Sequence, residues 1–365
     1  MSGGIPNASG MGLSRFWTQT AFSADHTEFQ WLDVAVAAMV RGDWSRFERR
    51  LTEGLAAVAR GRAENVVAGD EAVDAAMTAF RYERDLISGD EMNTWLDREG
   101  LDSGEWSAYF SRALMRERFA YALDETIDRY IPSSRQLREA ALAEGVCSGS
   151  FDHFAQALAR CVALVADART AAFSAPDPPP DLAGDASRLA HLHGHWLEDH
   201  SLAEIHERFV RALHIERAFA AAAEAVSAGP ALHAMLGMRQ MEWTRLALQS
   251  LTFTTEDAAR EAIFCVRLDG LSLDEVGLLA RQAVQHATLF VEDVRDDQRV
   301  PLLSADIGRV VGPLPIEERF QVLVLTSRTT PSIEDGHVRE RARLAAIEAA
   351  SERAARDRIA WRPRG

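Results

Sequence analysis

The stretch that decides the fold reads AREAIFCVR (259–267), LSLDEV (271–276), ADIGRVVGPL (305–314) and RFQVLVL (319–325). The first and last segments are apolar, contain β-branched residues and are bounded by turn residues, which predicts strands. Ser272 stands three residues before Glu275, the spacing of a capping box, so a helix is predicted to begin there. Gly308 and the Gly312-Pro313 pair predict turns at the ends of a short strand. The pattern predicts a small α/β layer domain over residues 255–331.

The order of these segments resembles the parvulin family of peptidyl-prolyl isomerases. Parvulins have an opening strand, a helix that starts with serine, a hydrophobic residue and an acid, a G-x-V-x-G-P-hydrophobic segment, and a final strand. Residues 307–314 followed by 320–325 match the closing part of that pattern. The resemblance implies a small C-terminal α+β domain that offers a sheet edge or an apolar pocket to a peptide. Phe264, Phe320 and Val322 are the residues of this domain predicted to contact the peptide.

Two departures from the family pattern bear on activity. Parvulins carry a histidine in the opening strand, where Ala262 stands here, and another in the closing strand, where Gln321 stands. The middle section of the family, with its glycine-rich turn and its acidic or cysteine site residue, is shortened as well. These groups form the polar centre that holds the twisting prolyl bond. Their loss implies a domain that binds peptide without isomerising it, so no catalytic residue is predicted, and an active isomerase is the alternative.

Composition and charge limit the classes of partner. The chain has 365 residues, a hydrophobic content of 47% and a formal net charge of −15, so it is long enough for two or three domains with real cores. A net charge of this sign disfavours an exposed nucleic-acid footprint and binding to an anionic membrane surface. It favours attraction to a basic peptide segment instead. No uninterrupted apolar run approaches the ~20 residues that a membrane span needs.

The cysteine pattern and the N-terminal sequence bear on the cellular compartment of the protein. Cys147, Cys161 and Cys265 are odd in number and widely spaced, which is neither a disulfide framework nor a metal motif. Buried free thiols in a reducing environment are the expected state. Residues 1–23 lack a positively charged region before an apolar core, so they do not form a secretory signal. The sequence predicts a cytoplasmic protein, whereas exported chaperones of the SurA and PrsA kind carry such a signal.

The rest of the chain is predicted to be mainly α-helical. Apolar residues recur at helical spacing through long segments that are joined by short turns, which is typical of an all-α domain. Three consecutive prolines at 178–180 exclude helix and mark a linker. The predicted regions are a flexible N-terminus (1–25), a helical domain (26–173), a proline-rich linker (174–183), a second helical region (184–254), the parvulin-like domain (255–331), and a returning C-terminal helix and tail (332–365).

An internal repeat connects the two helical regions. WLDREGL (95–101) parallels WLEDHSL (196–202), and FSRAL (110–114) parallels FVRAL (209–213). The repeated unit is a short helix, a turn and a long helix. This arrangement also resembles the N-terminal helical region with which SurA-like chaperones cradle a peptide. Trp95, Trp106, Trp196 and Trp243 lie at helical spacings and are predicted either to line a peptide groove or to belong to the core.

A histidine-rich segment carries a different hypothesis. Along one helix, His191 and His195 would share a face, and Asp199 would follow one turn later. Two imidazoles and a carboxylate at that spacing suit zinc, copper or iron. The alternative is an amphipathic helix whose histidines are solvated or act as caps.

These observations lead to one main prediction of function. We expect a mainly α, cytoplasmic, chaperone-like protein that binds a peptide or an unfolded polypeptide segment. It would act as an accessory that presents a precursor peptide to a modifying enzyme in a bacterial peptide-maturation system, with no cofactor. An active peptidyl-prolyl isomerase and a metal-binding helical protein or metalloenzyme are the alternatives.

Overall fold

The structure is a computed structural model that describes residues 9–167 and 180–362. Within these ranges the chain is mainly helical and has two small antiparallel sheets. The predicted fold class, mainly α with a small α+β region, is therefore confirmed. The chain divides into two compact units, of which the first comprises Met1–Glu224 and Ala350–Gly365 and the second Ala225–Ala349.

The first unit contains most of the helices. Its elements, in chain order, are α1 (Ser9–Trp17), β1 (Thr20–Ala24), β2 (Thr27–Gln30), α2 (Trp31–Arg41), α3 (Asp43–Ala63), α4 (Asp70–Glu83), α5 (Gly89–Glu99), α6 (Ser103–Arg118), α7 (Leu123–Arg129), α8 (Ser134–Cys147), α9 (Ser150–Asp167), α10 (Pro180–His193) and α11 (Leu202–Val226).

The second unit is organised around a four-stranded sheet. Its elements are α12 (Gly229–Met238), β3 (Arg245–Phe253), α13 (Glu256–Arg267), α14 (Leu273–Ala280), β4 (Gln285–Phe290), α15 (Asp296–Ser304), β5 (Val310–Ile316) and β6 (Arg319–Thr329). Helix α16 (Gly336–Arg358) begins in this unit and ends in the first, and β7 (Ile359–Trp361) closes the described chain.

The two ends of the chain meet in a sheet of the first unit. The strand order is β2-β1-β7, and Phe22 of β1 lies opposite Trp361 of β7. The pairing anchors the tail that was predicted to follow the returning C-terminal helix. The prediction of a flexible N-terminus is wrong for residues 9–25, because α1 and β1 place Phe16, Trp17 and Phe22 in the core. Residues 1–8 lie outside the described residues.

An aromatic cluster forms the core of the first unit. Trp44 is fully buried and lies 5.3 Å, between ring centroids, from Trp196 and 4.8 Å from Phe47. Phe151 stacks on Phe16 at 5.4 Å, and its ring lies against Gly145, where a Cβ would stand 2.3 Å from the ring. Glycine at this position therefore lets α8 approach α9 closely.

The predicted repeat corresponds to two long helices with matched buried residues. Phe110 of α6 and Phe209 of α11 are both buried in the same core. The short segments that precede them differ, since Trp95 lies in α5 whereas Trp196 lies in a 3₁₀ turn. Most of the predicted linker, up to residue 179, lies outside the described residues, and Pro180 already begins α10.

The sheet of the second unit has the strand order β4-β3-β6-β5 and is covered on both faces. Leu251, Phe253 and Val322 pack on one face against α13 and α14. On the other face Leu246 and Leu323 pack with residues of α15 and of the turn after β4. The alternation of side chains along β3 and β6 divides these residues between the two small cores.

The opening strand of this sheet lies upstream of its predicted position. Residues 259–267 form helix α13 and not a strand, because Thr255 caps the helix and the buried Ala259, Ala262 and Ile263 recur at helical spacing. The opening strand is β3, within the region 184–254 that was predicted to be helical. Buried and partly buried residues alternate along most of β3, as is typical of a strand, and the prediction of helix for this region was wrong at these residues.

The closing part of the sheet follows the prediction more closely. Ser272 and Glu275 form the predicted capping box at the start of α14. Gly308 has a φ of +82° in the turn before β5, as expected for glycine. The Gly312-Pro313 pair lies within β5 and does not end it. A Cβ on Gly312, which has a φ of +133°, would stand 2.8 Å from the carbonyl oxygen of Gln321.

Candidate functional site

The four tryptophans predicted as a peptide platform lie in hydrophobic cores. Trp95 and Trp106 pack edge-on against Phe80 in the first unit. Trp196 packs against Trp44 in the aromatic cluster, and Trp243 packs within the second unit in a cluster with Phe290 and residues of α16. Each of the four is at most 7% exposed, so the core alternative describes them and the platform interpretation is corrected.

The three residues predicted in the α+β region do not form one surface. Val322 is fully buried in the sheet, and the half-buried Phe320 packs against the same core. Phe264 lies on α13, where 57% of its surface is exposed. Of the three, only Phe264 presents an aromatic ring to solvent.

The second face of the sheet carries a small polar centre. Gln321 precedes Leu323 on this face of β6, and its Oε1 accepts a hydrogen bond of 3.1 Å from Nε2 of Gln298 in α15. Thr252 of β3 lies opposite Gln321 in the strand register, and Ser250 is buried two residues before it. Amides and hydroxyls can donate to and accept from a peptide backbone. Neither strand contains a histidine, so this centre lacks an imidazole from β3 or β6.

A cavity of about 390 Å³ opens on the other side of the sheet, at the end of β3. The end of β3, helix α13 and the segment 276–282 contribute its walls. The lining residues of α13 recur at helical spacing. The lining consists of Phe253, Thr254, Ala258, Glu261, Ala262, Cys265, Val276, Leu279, Ala280 and Gln282. Among these described lining residues, Glu261 is the one charged side chain. The cavity therefore has a mixed lining, in which apolar side chains stand beside the polar Thr254 and Gln282 and a single carboxylate.

Local sequence signals position the two helices that form the cavity. The hydroxyl of Thr255 accepts a hydrogen bond of 3.3 Å from the Ala258 amide at the start of α13. At the start of α14 the Glu275 carboxylate accepts hydrogen bonds from the backbone and side chain of Ser272, and these bonds lower the pKa of Glu275. Gly277 lets the following segment cross close to α14, because a Cβ there would stand 2.9 Å from the Gln282 carbonyl oxygen.

Exposed apolar side chains occur on the same two helices. Phe264 lies on α13 and Leu268 directly follows the helix, four residues later, and they are 57% and 77% exposed. Leu278 and Leu279 on α14 are 80% and 72% exposed, and Leu279 also lines the cavity. Grouped exposed apolar residues of this kind mark interaction sites, whereas single ones are common on any protein.

The histidine segment does not form the predicted metal site. Helix α10 ends at His193, so His191 and His195 do not share the face of one helix. His195 Nε2 lies 3.6 Å from Oε1 of Glu48, and the Asp199 carboxylate accepts a hydrogen bond from the Ser14 hydroxyl. Within the described ranges, no three histidine, cysteine, aspartate or glutamate side chains come together as ligands for a metal. The metal interpretation of His191, His195 and Asp199 is therefore corrected.

A second, charged cavity of about 240 Å³ lies in the first unit. Arg208 occupies its wall and donates hydrogen bonds to Asp33 at 2.8 Å, Gln30 at 2.9 Å and Glu204 at 3.2 Å. Arg211 lies over the ring of Phe29, with Cζ 4.5 Å from the centroid. Arg208 is therefore already paired within the protein. We interpret this cluster of charges as stabilising the wall of the cavity and not as a site for a ligand.

Glu261 and Cys265 were missed by the sequence analysis because their segment was predicted to be a strand. In a strand, residues 258, 261, 262 and 265 fall on both faces, whereas in a helix they fall on one face. The signal that would have found them is the sequence Thr-Thr-Glu-Asp (254–257), which combines an N-cap with acids in the first turn.

Comparison with known proteins does not assign the chain to a family. No protein-family model matches the chain, and no curated protein matches it significantly. Among the helices that the structure describes, none combines the length and the apolar character that crossing a bilayer requires.

Proposed function

We propose that this protein binds a peptide or an unfolded polypeptide segment through its second unit, as a parvulin-like domain without isomerase chemistry. The observation that carries the proposal is the order of elements around the sheet. An opening strand (β3) precedes the helix capped by Ser272, a G-x-V-x-G-P-L segment (308–314) enters β5, and a final strand (β6) closes the sheet. This is the order on which the resemblance to parvulins rests.

The polar centre supports binding without catalysis. The assignment of Ala262 to the histidine position of the opening strand is wrong, because Ala262 lies in helix α13. Where the family has histidines in its opening and closing strands, β3 carries Ser250 and Thr252, and β6 carries Gln321. The Gln298–Gln321 hydrogen bond occupies one donor and one acceptor and leaves further amide atoms for a peptide group. Amides and hydroxyls hold a peptide by hydrogen bonds but do not ionise near neutral pH, so this polar centre offers no general acid or base.

The partner follows from charge and from the absence of an obvious reaction centre at the sheet. A chain with a net charge of −15 attracts basic segments. As an extension of the proposal, the bound segment is a precursor peptide that the protein presents to a modifying enzyme in a peptide-maturation system. Such an accessory needs affinity and slow release but no chemistry of its own.

A reducing compartment suits the cysteines of the described chain. Cys147, Cys161 and Cys265 are all free, and the first two are buried. Burial raises the pKa of Cys147 and of Cys161 to about 12, which keeps both thiols protonated and unreactive. As part of the same proposal, the protein works in the cytoplasm, where free thiols persist.

Binding and isomerisation are tested side by side on the full chain. The binding probe is a fluorescein-labelled, unfolded carboxymethylated protein followed by fluorescence anisotropy, and the activity probe is a short proline-containing peptide. We expect saturable binding without acceleration of cis–trans isomerisation. Gln321→Ala should weaken binding severalfold, and Arg319→Ala, an exposed change on the same strand, should not.

Two results would contradict this function. An unfolded chain that does not bind at any concentration removes the peptide-binding role. Isomerase activity that Gln321→Ala abolishes while Arg319→Ala preserves it establishes the alternative, an active isomerase with an unusual polar centre. The two assays therefore separate a binding domain from an enzyme.

A further inference from the structure

The cavity beside α13 is separate from the polar centre around Gln321, which corresponds to the polar centre of parvulins in the proposed function. The polar centre lies on the face of the sheet that carries Gln321, whereas the cavity lies on the face that carries Phe253. We infer that this cavity is a second recognition site, which takes an apolar side chain and a neighbouring cationic side chain of an extended peptide. The inference rests on the proposed function, because it names a site and a residue class for the same partner.

The cationic preference comes from the charge of Glu261. This carboxylate lines the cavity and has no ion-pair partner among residues 9–167 and 180–362. The arginines of the same helix are engaged elsewhere, since Arg260 pairs with Glu256 at 2.6 Å and Arg267 donates to the Val310 carbonyl oxygen at 3.2 Å. Glu261 therefore presents an exposed negative charge without an ion-pair partner in the described residues, beside walls that are otherwise uncharged, which favours a lysine or arginine side chain over an acid.

The apolar preference comes from the rest of the lining and from its surroundings. Nine of the ten lining residues are uncharged, and the exposed Phe264 and Leu278 adjoin Cys265 and Leu279 in the sequence of the two helices. A volume of about 390 Å³ lies near the lower end of the range of roughly 300–1,000 Å³ for ligand pockets. It suits a few side chains of a peptide and not a folded partner.

An extended conformation of the peptide fits the edge of the sheet at this point. The pairing of β3 with β4 ends where Ser250 meets Gln285. Leu251, Thr252 and Phe253 continue β3 and pair only with β6. Strand addition to an edge gives backbone hydrogen bonds, while pockets beside the edge select alternate side chains. A leucine and an arginine two residues apart on the added segment face the same side, toward Phe253 and Glu261.

Charge reversal tests this site directly. The probe is a fluorescein-labelled nine-residue peptide of glycine and serine with a central leucine and an arginine two residues later. Its twin has glutamate in place of arginine. By fluorescence anisotropy we expect the arginine peptide to bind the wild-type protein about threefold more tightly, as expected for one charge pair at an exposed carboxylate.

The variants are Glu261→Arg and, as a matched control, Asp269→Arg, which makes the same charge change at an exposed position outside the lining. Glu261→Arg should reverse the preference in favour of the glutamate peptide, and Asp269→Arg should preserve the preference for arginine. An unchanged preference in Glu261→Arg would overturn the inference. Equal reversal by Asp269→Arg would overturn it too, because the selection would then reflect overall charge.

Alkylation of Cys265 provides a second measurement on the unmodified protein. Cys265 lines the cavity and is half-buried, whereas Cys147 and Cys161 are buried elsewhere and serve as internal controls. Saturating arginine peptide should slow alkylation of Cys265 at least fivefold. If the peptide binds and Cys265 is not protected, the site is wrong while peptide binding stands. If neither this peptide nor the unfolded carboxymethylated protein binds, the proposed function itself fails.

Discussion

The two units of this protein bury their apolar residues in different ways. The first unit has a large core in which Trp44, Phe151 and Trp196 contact one another or shared neighbours. The second unit divides its apolar residues among small clusters on the two faces of one sheet and beside α16. A large aromatic core resists deformation, whereas small clusters leave surface and cavities at their margins. Under the proposed function, the first unit serves as a scaffold and the second provides the binding surface.

The distribution of exposed apolar residues supports this contrast. In the first unit such residues as Val67, Tyr121 and Ile131 lie singly at turns or beside helix ends. In the second unit Phe264, Leu278 and Leu279 lie on two helices that also line the cavity, and Leu268 directly follows the first of them. Exposed apolar surface costs solubility unless a partner covers it, so its grouping in one unit favours that unit as the place of binding.

The strongest test of the contrast is Trp44→Ala. This change removes the side chain that joins Trp17, Phe47 and Trp196, and we expect the first unit to lose about 3–5 kcal/mol of unfolding free energy. Hydrogen exchange with mass spectrometry should show the loss across α2, α3 and α9 and not in β3 or β6. Leu344→Ala, at an exposed position of α16, is the control with little effect. Equal destabilisation of β3 and β6 would mean that the units do not unfold separately.

A smaller loss of stability, located in the second unit and not in the first, is expected from Gly312→Ala. The new methyl group would meet the Gln321 carbonyl oxygen at 2.8 Å, and alanine disfavours a φ of +133°, so we expect a loss of about 1–3 kcal/mol. Urea unfolding with exchange readout should place the loss in β5 and β6. Gly89→Ala, where a Cβ meets open space, is the matched control. A Gly312→Ala protein as stable as the wild type would contradict the close approach of β5 and β6.

The loss of a capping box should lower the unfolding free energy by about the same amount in either unit. Ser272→Ala removes the hydroxyl that accepts from the Glu275 amide at 3.2 Å, and Ser88→Ala removes the corresponding bond to Glu91 at 3.1 Å. Each should cost about 1 kcal/mol of unfolding free energy in its own unit, measured by urea unfolding. Threonine at either position should restore most of the loss. A negligible effect of Ser272→Ala with a normal effect of Ser88→Ala would show that packing alone holds α14.

The smallest predicted effect is a change in how the stability of the first unit depends on pH. Burial lowers the pKa of His193, and the nearby His195 lowers it further. The folded state therefore binds fewer protons than the unfolded state, whose histidine titrates near 6.5. The stabilising contribution is complete above about pH 6.5 and is lost as the pH falls toward the lowered pKa. Tryptophan fluorescence in urea at pH 7.5 and 5.5 should show a smaller pH difference for His193→Gln than for the wild type. An identical difference in both proteins would exclude His193 as its source.

Local signals allowed part of the fold to be predicted. The capping box at Ser272, the turn at Gly308 and the final strand follow from residues that are neighbours in sequence. The segment 259–267 was misassigned because a short apolar run satisfies a strand and a helix equally, and only the cap at Thr255 separates them. The opening strand at 245–253 was missed because the region before it is helical.

The candidate site was less predictable than the fold. Helical spacing shows which face of a helix is apolar, but it does not show whether Trp95 or Trp243 meets a groove or a core. That choice depends on elements far away in sequence, such as α4 for Trp95 and α16 for Trp243. The end of α10 at His193, by contrast, coincides with a local signal, since Gly194 follows directly, and it separates two histidines that a continuous helix would align.

The pairing of β1 with β7 has a consequence for synthesis on the ribosome. Translation proceeds from the N-terminus, so every residue of the second unit emerges before Ile359–Trp361 can join Thr20–Ala24. Until then, one edge of β1 stays open, and an open strand edge invites pairing with other chains. A nascent chain that stalls before β7 would therefore expose an unpaired strand edge, which is covered only when Ile359–Trp361 pairs with β1.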